Sequence, residues 1–219
     1  MARVSDLVVQ KKNPNRVNVY LDGEYAFGLS RFVAAWLQPG QELDEAKIGK
    51  LIKEDTFEAA YHRALKKLKH RSASRAEIYQ KLKEDQVPEE IIRQVLERLE
   101  NVGLIDDSKF IQEFIENRRT FRPRSRRALA YELRQRGIDP ETAQNVVESL
   151  DDEELAFQAA KIQAHKYNTL DWPGFRKKTL AFLARRGFSY PSSAEAARRV
   201  WTQLHGEPSP DGIESENED

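Results

Sequence analysis

An internal repeat limits the possible folds of this chain more than any other feature of its sequence. Residues 74–99 align without a gap with residues 125–150 at an offset of 51. The aligned apolar pairs are Ile78 with Leu129, Leu82 with Leu133, Val87 with Ile138, Val95 with Val146, and Leu99 with Leu150. A repeat of this length indicates one helical unit that buries its apolar face against neighbouring copies.

A third copy begins at Phe175 with an offset of 50, which aligns Leu183 with Leu133. Four extra residues near Tyr190 and Pro191 shift its last helix. A further helix with an apolar stripe precedes each copy, at residues 56–69, 107–119 and 152–167. The sequence therefore predicts a mainly α fold of three tandem three-helix repeats in an elongated array, where each repeat contacts only its neighbours.

The ends of these helices carry recognisable signals. The predicted N-terminal caps are Asp44, Asp55 with Glu58, Ser74 with Glu77, and Asp139 before Pro140. Gly137 and Gly187 directly follow Arg136 and Arg186. This order is expected where a helix ends in a left-handed residue and has cations in its last turn.

The first thirty residues predict strands instead of helices. Apolar residues with the alternating spacing of half-buried strands form three runs, which are Val4, Leu7 and Val9, then Val17, Val19 and Leu21, then Tyr25, Phe27 and Leu29. Asp22 and Gly23 form a strong tight-turn dipeptide between the last two runs. We expect a small antiparallel β-meander, followed by a short helix that Ser30 caps and Pro39 and Gly40 end.

Composition excludes several classes of protein. The 219 residues include no cysteine, which excludes disulfides, thiolate metal sites and cysteine nucleophiles and suits a reducing cytoplasm. No apolar run approaches the roughly 20 residues that span a bilayer. The first residues lack the apolar segment of a signal peptide. We therefore expect a cytoplasmic protein without membrane contact.

No catalytic constellation is visible in the sequence. There is no Walker loop, dinucleotide fingerprint or nucleophile elbow. Four histidines lie on different segments without metal-ligand spacing, at His62, His70, His165 and His205. Asp106 and Asp107 precede an apolar helix, so helix capping is favoured over metal binding for this pair. We predict a non-enzymatic protein without metal or cofactor.

The formal net charge of zero conceals a basic body. Residues 207–219 carry six acidic residues and no Lys or Arg, so the rest of the chain has 36 basic and 30 acidic residues, a net charge of +6. The Pro-, Ser- and acid-rich composition of this tail predicts disorder. A solubilising tail is favoured, and the alternative is a tail that competes with nucleic acid for the basic face.

Arginines concentrate in the second repeat. From Arg118 to Arg136 there are eight arginines and one acidic residue, Glu132. A helix from Ser125 turns its leucines inward and gathers Arg124, Arg127, Tyr131 and Arg134 on the opposite face. Arginines beside an aromatic ring suit phosphate contact, although an ordinary solvated face is the alternative. The candidate contact residues are Arg118, Arg119, Arg122, Arg124, Arg127, Tyr131, Arg134, Lys177 and Lys178.

Arg75, Arg126 and Arg176 occupy the same position in the three copies, at the edge of the inner stripe. This position favours a structural role, in which the stem covers the core and the head bonds a neighbouring helix end. The structural repeat positions are these three arginines together with Leu82, Leu133 and Leu183.

Several motifs follow one another in a specific order and spacing, which are Ser74-Arg75-Ala76-Glu77-Ile78 with Leu82, Gly103-Leu104-Ile105-Asp106-Asp107 with Phe110, Arg122-Pro123-Arg124-Ser125-Arg126-Arg127 with Glu132-Leu133, and Arg136-Gly137-Ile138. Together these motifs resemble the RecX family of regulatory proteins. Residues 180–188 are similar to the family's weaker final repeat. The resemblance covers residues 56–204, and the N-terminal meander is similar to an extension of some members.

The resemblance implies a modulator of the RecA recombinase in homologous recombination, DNA repair and the SOS response. Family members bind along the groove of the RecA–single-stranded DNA filament, span neighbouring protomers, and restrain growth or promote disassembly of the filament. ATP hydrolysis, strand exchange and stimulated repressor cleavage fall as a consequence. On this resemblance we expect an inhibitory, monomeric regulator that reaches single-stranded DNA through the filament, with weak direct binding at most.

Two other functions stay open on the residues alone. A direct DNA-binding module would bind naked DNA with an affinity that falls steeply as salt rises. A helical adaptor would bind an unrelated protein. The predicted domains are residues 1–55 for the meander with short helices, 56–105, 106–150 and 151–205 for the repeats, and 206–219 for the acidic tail.

Overall fold

A computed structural model describes residues 1–206 and divides the chain into two compact units, Met1–Asp106 and Asp107–Asp219. The elements of the first unit are β1 (Ala2–Gln10), β2 (Asn13–Leu21), β3 (Glu24–Ser30), α1 (Arg31–Ala34), β4 (Glu42–Leu43), α2 (Glu45–His70), α3 (Arg75–Glu84) and α4 (Glu89–Asn101). Those of the second unit are α5 (Asp107–Phe121), α6 (Arg126–Gln135), α7 (Pro140–Glu148), α8 (Asp152–Ala164), α9 (Trp172–Ala184) and α10 (Tyr190–His205). The predicted mainly α fold with an N-terminal meander is confirmed, and the predicted acidic tail lies outside the described residues.

The sheet of the first unit is antiparallel, with the strand order β3-β2-β1-β4. Alternation holds for Val17, Val19 and Leu29, which are buried on the face that α1 and α2 cover, whereas Val9 and Tyr25 of the predicted runs are exposed near the strand ends. Asp22 and Gly23 have φ values of 49° and 90°, as a tight hairpin turn with two left-handed residues requires. The two-residue strand β4 is too short to produce a sequence pattern.

The predicted helix start at Asp55 is wrong. Helix α2 runs unbroken from Glu45 to His70, and its cap is Asp44, whose Oδ1 accepts a hydrogen bond from the backbone N of Lys47 at 2.7 Å. Asp55 is only 8% exposed. Its carboxylate accepts a hydrogen bond from the backbone N of Ser30 and pairs with Arg16 Nη2 at 3.0 Å. Asp55 therefore joins α2 to the sheet, and its spacing from Glu58 only imitates a capping box.

The first helical repeat consists of the C-terminal part of α2 with α3 and α4, packed around one apolar core. The capping box of Ser74 and Glu77 is confirmed, with both of its hydrogen bonds present. Gln86, between α3 and α4, has a φ of 58°. It stands at the repeat position that Gly137 and Gly187 occupy in the later copies, so the turn is left-handed in all three repeats.

Repeats two and three share a single core in the second unit. Gly137 and Gly187 have φ values of 79° and 88°, which confirms the predicted left-handed helix ends, and the predicted cap at Asp139 is also confirmed. The four extra residues of the third repeat lengthen its last helix, since α10 has 16 residues and α7 has 9. The elongated arrangement of the repeats stays a prediction.

Within residues 1–206, none of the helices combines the length and the apolar character needed to cross a bilayer. In the same range, no group of three or more His, Asp or Glu side chains is placed to hold a metal ion.

Candidate nucleic-acid interface

The lone acidic residue of the arginine-rich segment is shared by two arginines. Glu132 on α6 accepts a hydrogen bond from Arg118 Nε at 2.7 Å through Oε2, and its Oε1 lies 2.8 Å from Arg124 Nε. The Arg118 guanidinium also lies 4.7 Å from the ring centroid of Phe114. Arg118 and Glu132 are about one fifth exposed. One carboxylate cannot neutralise two guanidinium groups, so this triad keeps one positive charge.

A third arginine joins this region from the third repeat. Arg186, which follows α9, donates a hydrogen bond from Nη1 to the backbone O of Pro123 at 3.1 Å, and its guanidinium lies 4.5 Å from the ring centroid of Phe182. The backbone N of Ser125 donates to the backbone O of Arg186 at 3.2 Å. These contacts fix the Arg186 side chain beside the loop between α5 and α6.

Three arginines belong to this loop or bond it, because Arg122 and Arg124 flank Pro123 in the sequence and Arg186 donates to the backbone O of Pro123. We call Arg122, Arg124 and Arg186 the arginine cluster. Burial lowers the pKa of Arg186, and the positive charges of Arg124 and Arg122 lower it further. An arginine stays protonated at neutral pH in spite of such shifts. The mutual repulsion is therefore not relieved by proton loss, and an anion that binds here would be stabilised by all three charges.

The sequence pattern does not single out Arg186 as a contact residue, because it lies 63 residues from Pro123. The sequence feature that could have identified Arg186 is the internal repeat. The turn of the third repeat docks against the cap of α6, and a Cβ added to Gly187 would lie 2.7 Å from Ser125 Oγ. Such a close approach carries the neighbouring Arg186 to the loop.

The predicted basic face of α6 divides into two surfaces. Arg124 turns towards Glu132, whereas Arg127 and Arg134 line a cleft of about 710 Å³ between α6, α7 and the start of α8. Arg126, Glu148 and Asp152 also line this cleft, so it is mixed in charge. Tyr131 is 56% exposed and is not a lining residue.

The other predicted contact residues lie apart from both surfaces. Arg119 pairs with Glu116 on its own helix at 3.5 Å. Lys177 and Lys178 are exposed on α9, and Lys178 Nζ lies 5.7 Å from the ring centroid of Tyr167. None of these three side chains lines the cleft or bonds the cluster.

Each repeated arginine reaches the last helix of its own repeat. Arg75 Nε donates to Glu100 Oε1 at 2.7 Å, Arg126 Nη1 to the backbone O of Glu148 at 3.5 Å, and Arg176 Nη2 to Tyr190 Oη at 2.7 Å. The leucines of the repeat positions, Leu82, Leu133 and Leu183, are fully buried. These contacts are of the kind that a structural role for the repeated arginine requires.

Comparison with known proteins connects this architecture to one family. Three family models match the chain, which are the regulatory protein RecX N-terminal domain over residues 2–44, the first three-helix domain of RecX over residues 60–99, and the second three-helix domain over residues 106–147. A regulatory protein RecX of Limosilactobacillus reuteri is 30% identical over 194 residues, which cover 86% of this chain and 73% of the relative. The chain belongs to the RecX family.

Two further RecX proteins match nearly the whole chain. A regulatory protein RecX of Clostridium perfringens is 27% identical over 207 residues, covering 91% of this chain and 97% of the relative. A crystal structure of a regulatory protein RecX has a TM-score of 0.60 and 28% identity, and the match covers 91% of this chain and 98% of that one. In this RecX family member, Arg122 and Arg124 lie in the matched second three-helix domain, and Arg186 lies in the repeat that follows it.

Proposed function

We propose that this chain regulates the RecA recombinase by binding the RecA–single-stranded DNA filament, and that it inhibits filament activity. Membership of a family of regulatory proteins supports the regulatory part of the proposal. The observation that carries the binding part is the arginine cluster. Its three guanidinium groups come from two repeats, and Glu132 is the one carboxylate that pairs with any of them in the part of the chain that is described.

Two kinds of surface in the second unit suit a composite partner. The arginine cluster favours a polyanion, such as a DNA backbone, because its charges repel one another until an anion lies between them. The cleft offers Arg127 and Arg134 beside Glu148 and Asp152, and such a mixed surface suits a protein with charges of both signs. Two contacts on one rigid unit would bind a filament more tightly than either contact alone.

The proposed mechanism is restraint of the filament. A regulator that holds neighbouring protomers opposes the subunit addition and rearrangement that growth requires. ATP hydrolysis, strand exchange and stimulated repressor cleavage would then fall together, because all three depend on the assembled filament. We propose that the chain acts in the cytoplasm as a monomer, without a cofactor and without chemistry of its own.

The test is the rate of single-stranded-DNA-dependent ATP hydrolysis by the cognate RecA, measured as this chain is added. We expect the rate to fall as the chain approaches stoichiometry with RecA. An unchanged rate at stoichiometric excess would refute the proposal.

A pair of variants tests the site within the same assay. Arg122 is exposed and forms no ion pair among the described residues, so Arg122→Glu reverses a charge of the cluster without breaking a structural contact. Arg63 on α2 is also exposed and without an ion pair in residues 1–206, which makes Arg63→Glu the matched control. We expect Arg122→Glu to weaken co-sedimentation with filaments and Arg63→Glu to leave it unchanged. Equal co-sedimentation of the two variants would contradict a role of the arginine cluster in filament binding.

The alternative functions predict other results. A direct DNA-binding module would bind naked DNA as tightly as the filament, with a steep dependence on salt. A helical adaptor would leave RecA activity unchanged and recover an unrelated protein from extract.

A further inference from the structure

Two aromatic side chains of the N-terminal unit are unusually exposed. Trp36 is 78% exposed and Phe32 is 62% exposed, although aromatic residues of this size are normally well buried. They are four residues apart on one segment. Phe32 lies in α1, and Trp36 lies two residues beyond its end, in a turn held by hydrogen bonds from the backbone N of Ala35 to the backbone O of Arg31 at 3.1 Å and from the backbone N of Leu37 to the backbone O of Ala34 at 3.0 Å. Two large exposed rings therefore occur on one short segment that leaves the sheet.

The core of this unit does not require the two rings. The residues of this segment that are buried in the core are Val33, Ala34 and Leu37. Neither Phe32 nor Trp36 belongs to that core or forms a ring contact within residues 1–206. Their exposure is thus a property of the folded unit that packing leaves unexplained.

Cations gather at the end of the sheet where α1 begins. The strand register pairs Arg16, near the start of β2, with Ser30 at the end of β3, and Arg31 follows directly. The turn between β1 and β2 contains Lys11 and Lys12, which precede Arg16 by five and four residues, so this turn extends about 13 Å beyond Arg16 at the rise of a β-strand. Basic side chains of two connections therefore lie at one end of the sheet.

Three of these cations are available to a ligand. Lys11, Lys12 and Arg31 are exposed and form no ion pair among the described residues, whereas Arg16 is paired with Asp55. The turn at the opposite end of the sheet contains Asp22 and is followed by Glu24. Arg31 therefore adjoins Phe32 directly, and Lys11 and Lys12 lie at the end of the sheet from which this segment starts, whereas the opposite end carries Arg3 together with these acidic residues.

We propose that this end of the N-terminal unit binds single-stranded nucleic acid, with Phe32 and Trp36 stacking on bases and Lys11, Lys12 and Arg31 contacting phosphates. Cations alone would suit any polyanion. Flat aromatic faces beside them select a strand whose bases are unstacked, because a duplex keeps its base faces covered. This contact is separate from the arginine cluster, lies in the other unit, and does not depend on a recombinase.

An acidic protein is the competing occupant, and the observations favour it less. An aromatic hot spot for a protein is surrounded by further contact residues that exclude water. The exposed residues beside this pair along the chain are Arg31, Ala35, Gln38 and Pro39, and the two small apolar residues among them do not make this segment a continuous apolar rim.

The test measures binding of a fluorescently labelled oligo(dT) of about 20 nucleotides to the full chain, by fluorescence anisotropy without recombinase. Arg122→Glu is present in every protein, so that the arginine cluster contributes little. We expect Phe32→Ala with Trp36→Ala to weaken binding at least tenfold, since each base stack on an aromatic side chain is worth roughly a five- to hundredfold change in affinity. Lys11→Glu with Lys12→Glu should weaken binding by a similar factor and flatten its salt dependence.

Matched controls come from the same unit. Tyr25 is 59% exposed at the opposite end of the sheet, and Tyr25→Ala should leave the affinity unchanged. Lys47 and Lys50 are exposed on α2, and their replacement by Glu should have a smaller effect than the Lys11 and Lys12 pair. Circular dichroism of each variant checks that the fold is retained.

Tryptophan emission supplies a second readout. Trp36 is the exposed one of the three tryptophans, whereas Trp172 and Trp201 are partly buried against the core of the second unit. We expect oligo(dT) to quench the emission of the full chain. Trp36→Phe keeps an aromatic face and should keep the affinity within about twofold while most of the quenching disappears.

Unchanged oligo(dT) affinity in the double aromatic variant would overturn the proposal. So would weaker filament co-sedimentation combined with unchanged oligo(dT) binding, because the surface would then contact the recombinase protein. Failure of the proposed RecA regulation is a different result. It would leave the ATP hydrolysis rate unchanged and would not alter the binding of oligo(dT) without recombinase.

Discussion

Gly187 of the third repeat lies against Ser125 and Ala128 of the second, and we call this contact the joint between the two repeats. Gly187→Ala should disrupt it. Gly187 has a φ of 88°, and a Cβ at this position would lie 2.7 Å from Ser125 Oγ and 3.1 Å from the Cβ of Ala128. Ser125 Oγ is the cap of α6, where it accepts a hydrogen bond from the backbone N of Ala128 at 3.2 Å. The added methyl group therefore strains the backbone of Gly187 and displaces the cap of a helix in the neighbouring repeat.

The magnitude follows from these two effects. A left-handed residue with a Cβ costs about 1–2 kcal/mol, and the lower entropy of alanine in the unfolded chain offsets about 0.5–1 kcal/mol of that. Loss of the Ser125 cap adds about 1 kcal/mol. The expected loss in free energy of unfolding is therefore about 2 kcal/mol. Gly103→Ala is the matched control, since Gly103 has a φ of 68° and no atom within 4 Å of an added Cβ, so it should lose only about 1 kcal/mol.

Urea denaturation followed by circular dichroism measures both losses. Each loss is read from the shift of the unfolding midpoint of the full chain relative to the parent protein. A functional loss should accompany Gly187→Ala, because the backbone O of Arg186 accepts from Ser125 and a displaced joint moves Arg186 away from Pro123. If Gly187→Ala destabilises its unit no more than Gly103→Ala does, the close contact with Ser125 does not have the effect described.

Three further substitutions test other contacts. Gln86→Gly should raise the free energy of unfolding by about 0.5–1 kcal/mol, because Gln86 holds a φ of 58° where the other repeats have glycine; an unchanged urea midpoint would contradict this. Asp55→Ala should lower it by about 2 kcal/mol, because it removes the carboxylate that pairs with Arg16 and leaves the partly buried backbone N–H of Ser30 without an acceptor, whereas Asp55→Asn should cost less in the same titration. Glu132→Gln should lower the free energy of unfolding by about 1 kcal/mol, because it removes the carboxylate that pairs with Arg118 and Arg124. It should also tighten oligo(dT) binding at low salt, and the slope of log affinity against log salt concentration should become steeper by about 0.7 in anisotropy titrations. A slope equal to that of the parent protein would show that the freed positive charge does not contact the DNA.

Local and periodic features of the fold are predictable from the sequence. Apolar spacing identifies the strands and the repeated helices, and the caps at Ser74 and Asp139 are correct because their hydrogen bonds involve only neighbouring residues. Asp55 is a case in which the sequence pattern does not determine the structure. An acidic residue three positions before a glutamate has the same pattern at a helix start and inside a helix, and only the sheet contact through Ser30 and Arg16 distinguishes the two cases.

The candidate interface was less predictable, because side-chain direction on a helix does not determine the partner. The helical wheel places Arg124 with Arg127 and Arg134, but Arg124 turns to Glu132 while the other two line the cleft with α7. Arg186 reaches Pro123 across 63 residues through a hydrogen bond to a backbone oxygen, which has no signature in either residue type. Charge content was visible in the sequence, and the grouping of charges depended on how the repeats pack.

The joint between the repeats and the arginine cluster are one structure. The backbone of Arg186 is held by Ser125, its side chain is held by the backbone of Pro123, and Gly187 lies against the cap of α6. The cluster therefore exists only when the third repeat is docked on the second, and docking is opposed by the repulsion between its three guanidinium groups. An anion bound at the cluster removes this repulsion and stabilises the docked arrangement, by about 2.7 kcal/mol at a concentration one hundred times its dissociation constant. Under the proposed function, filament binding would stiffen this joint, and a stiff joint is what restraint of neighbouring protomers requires.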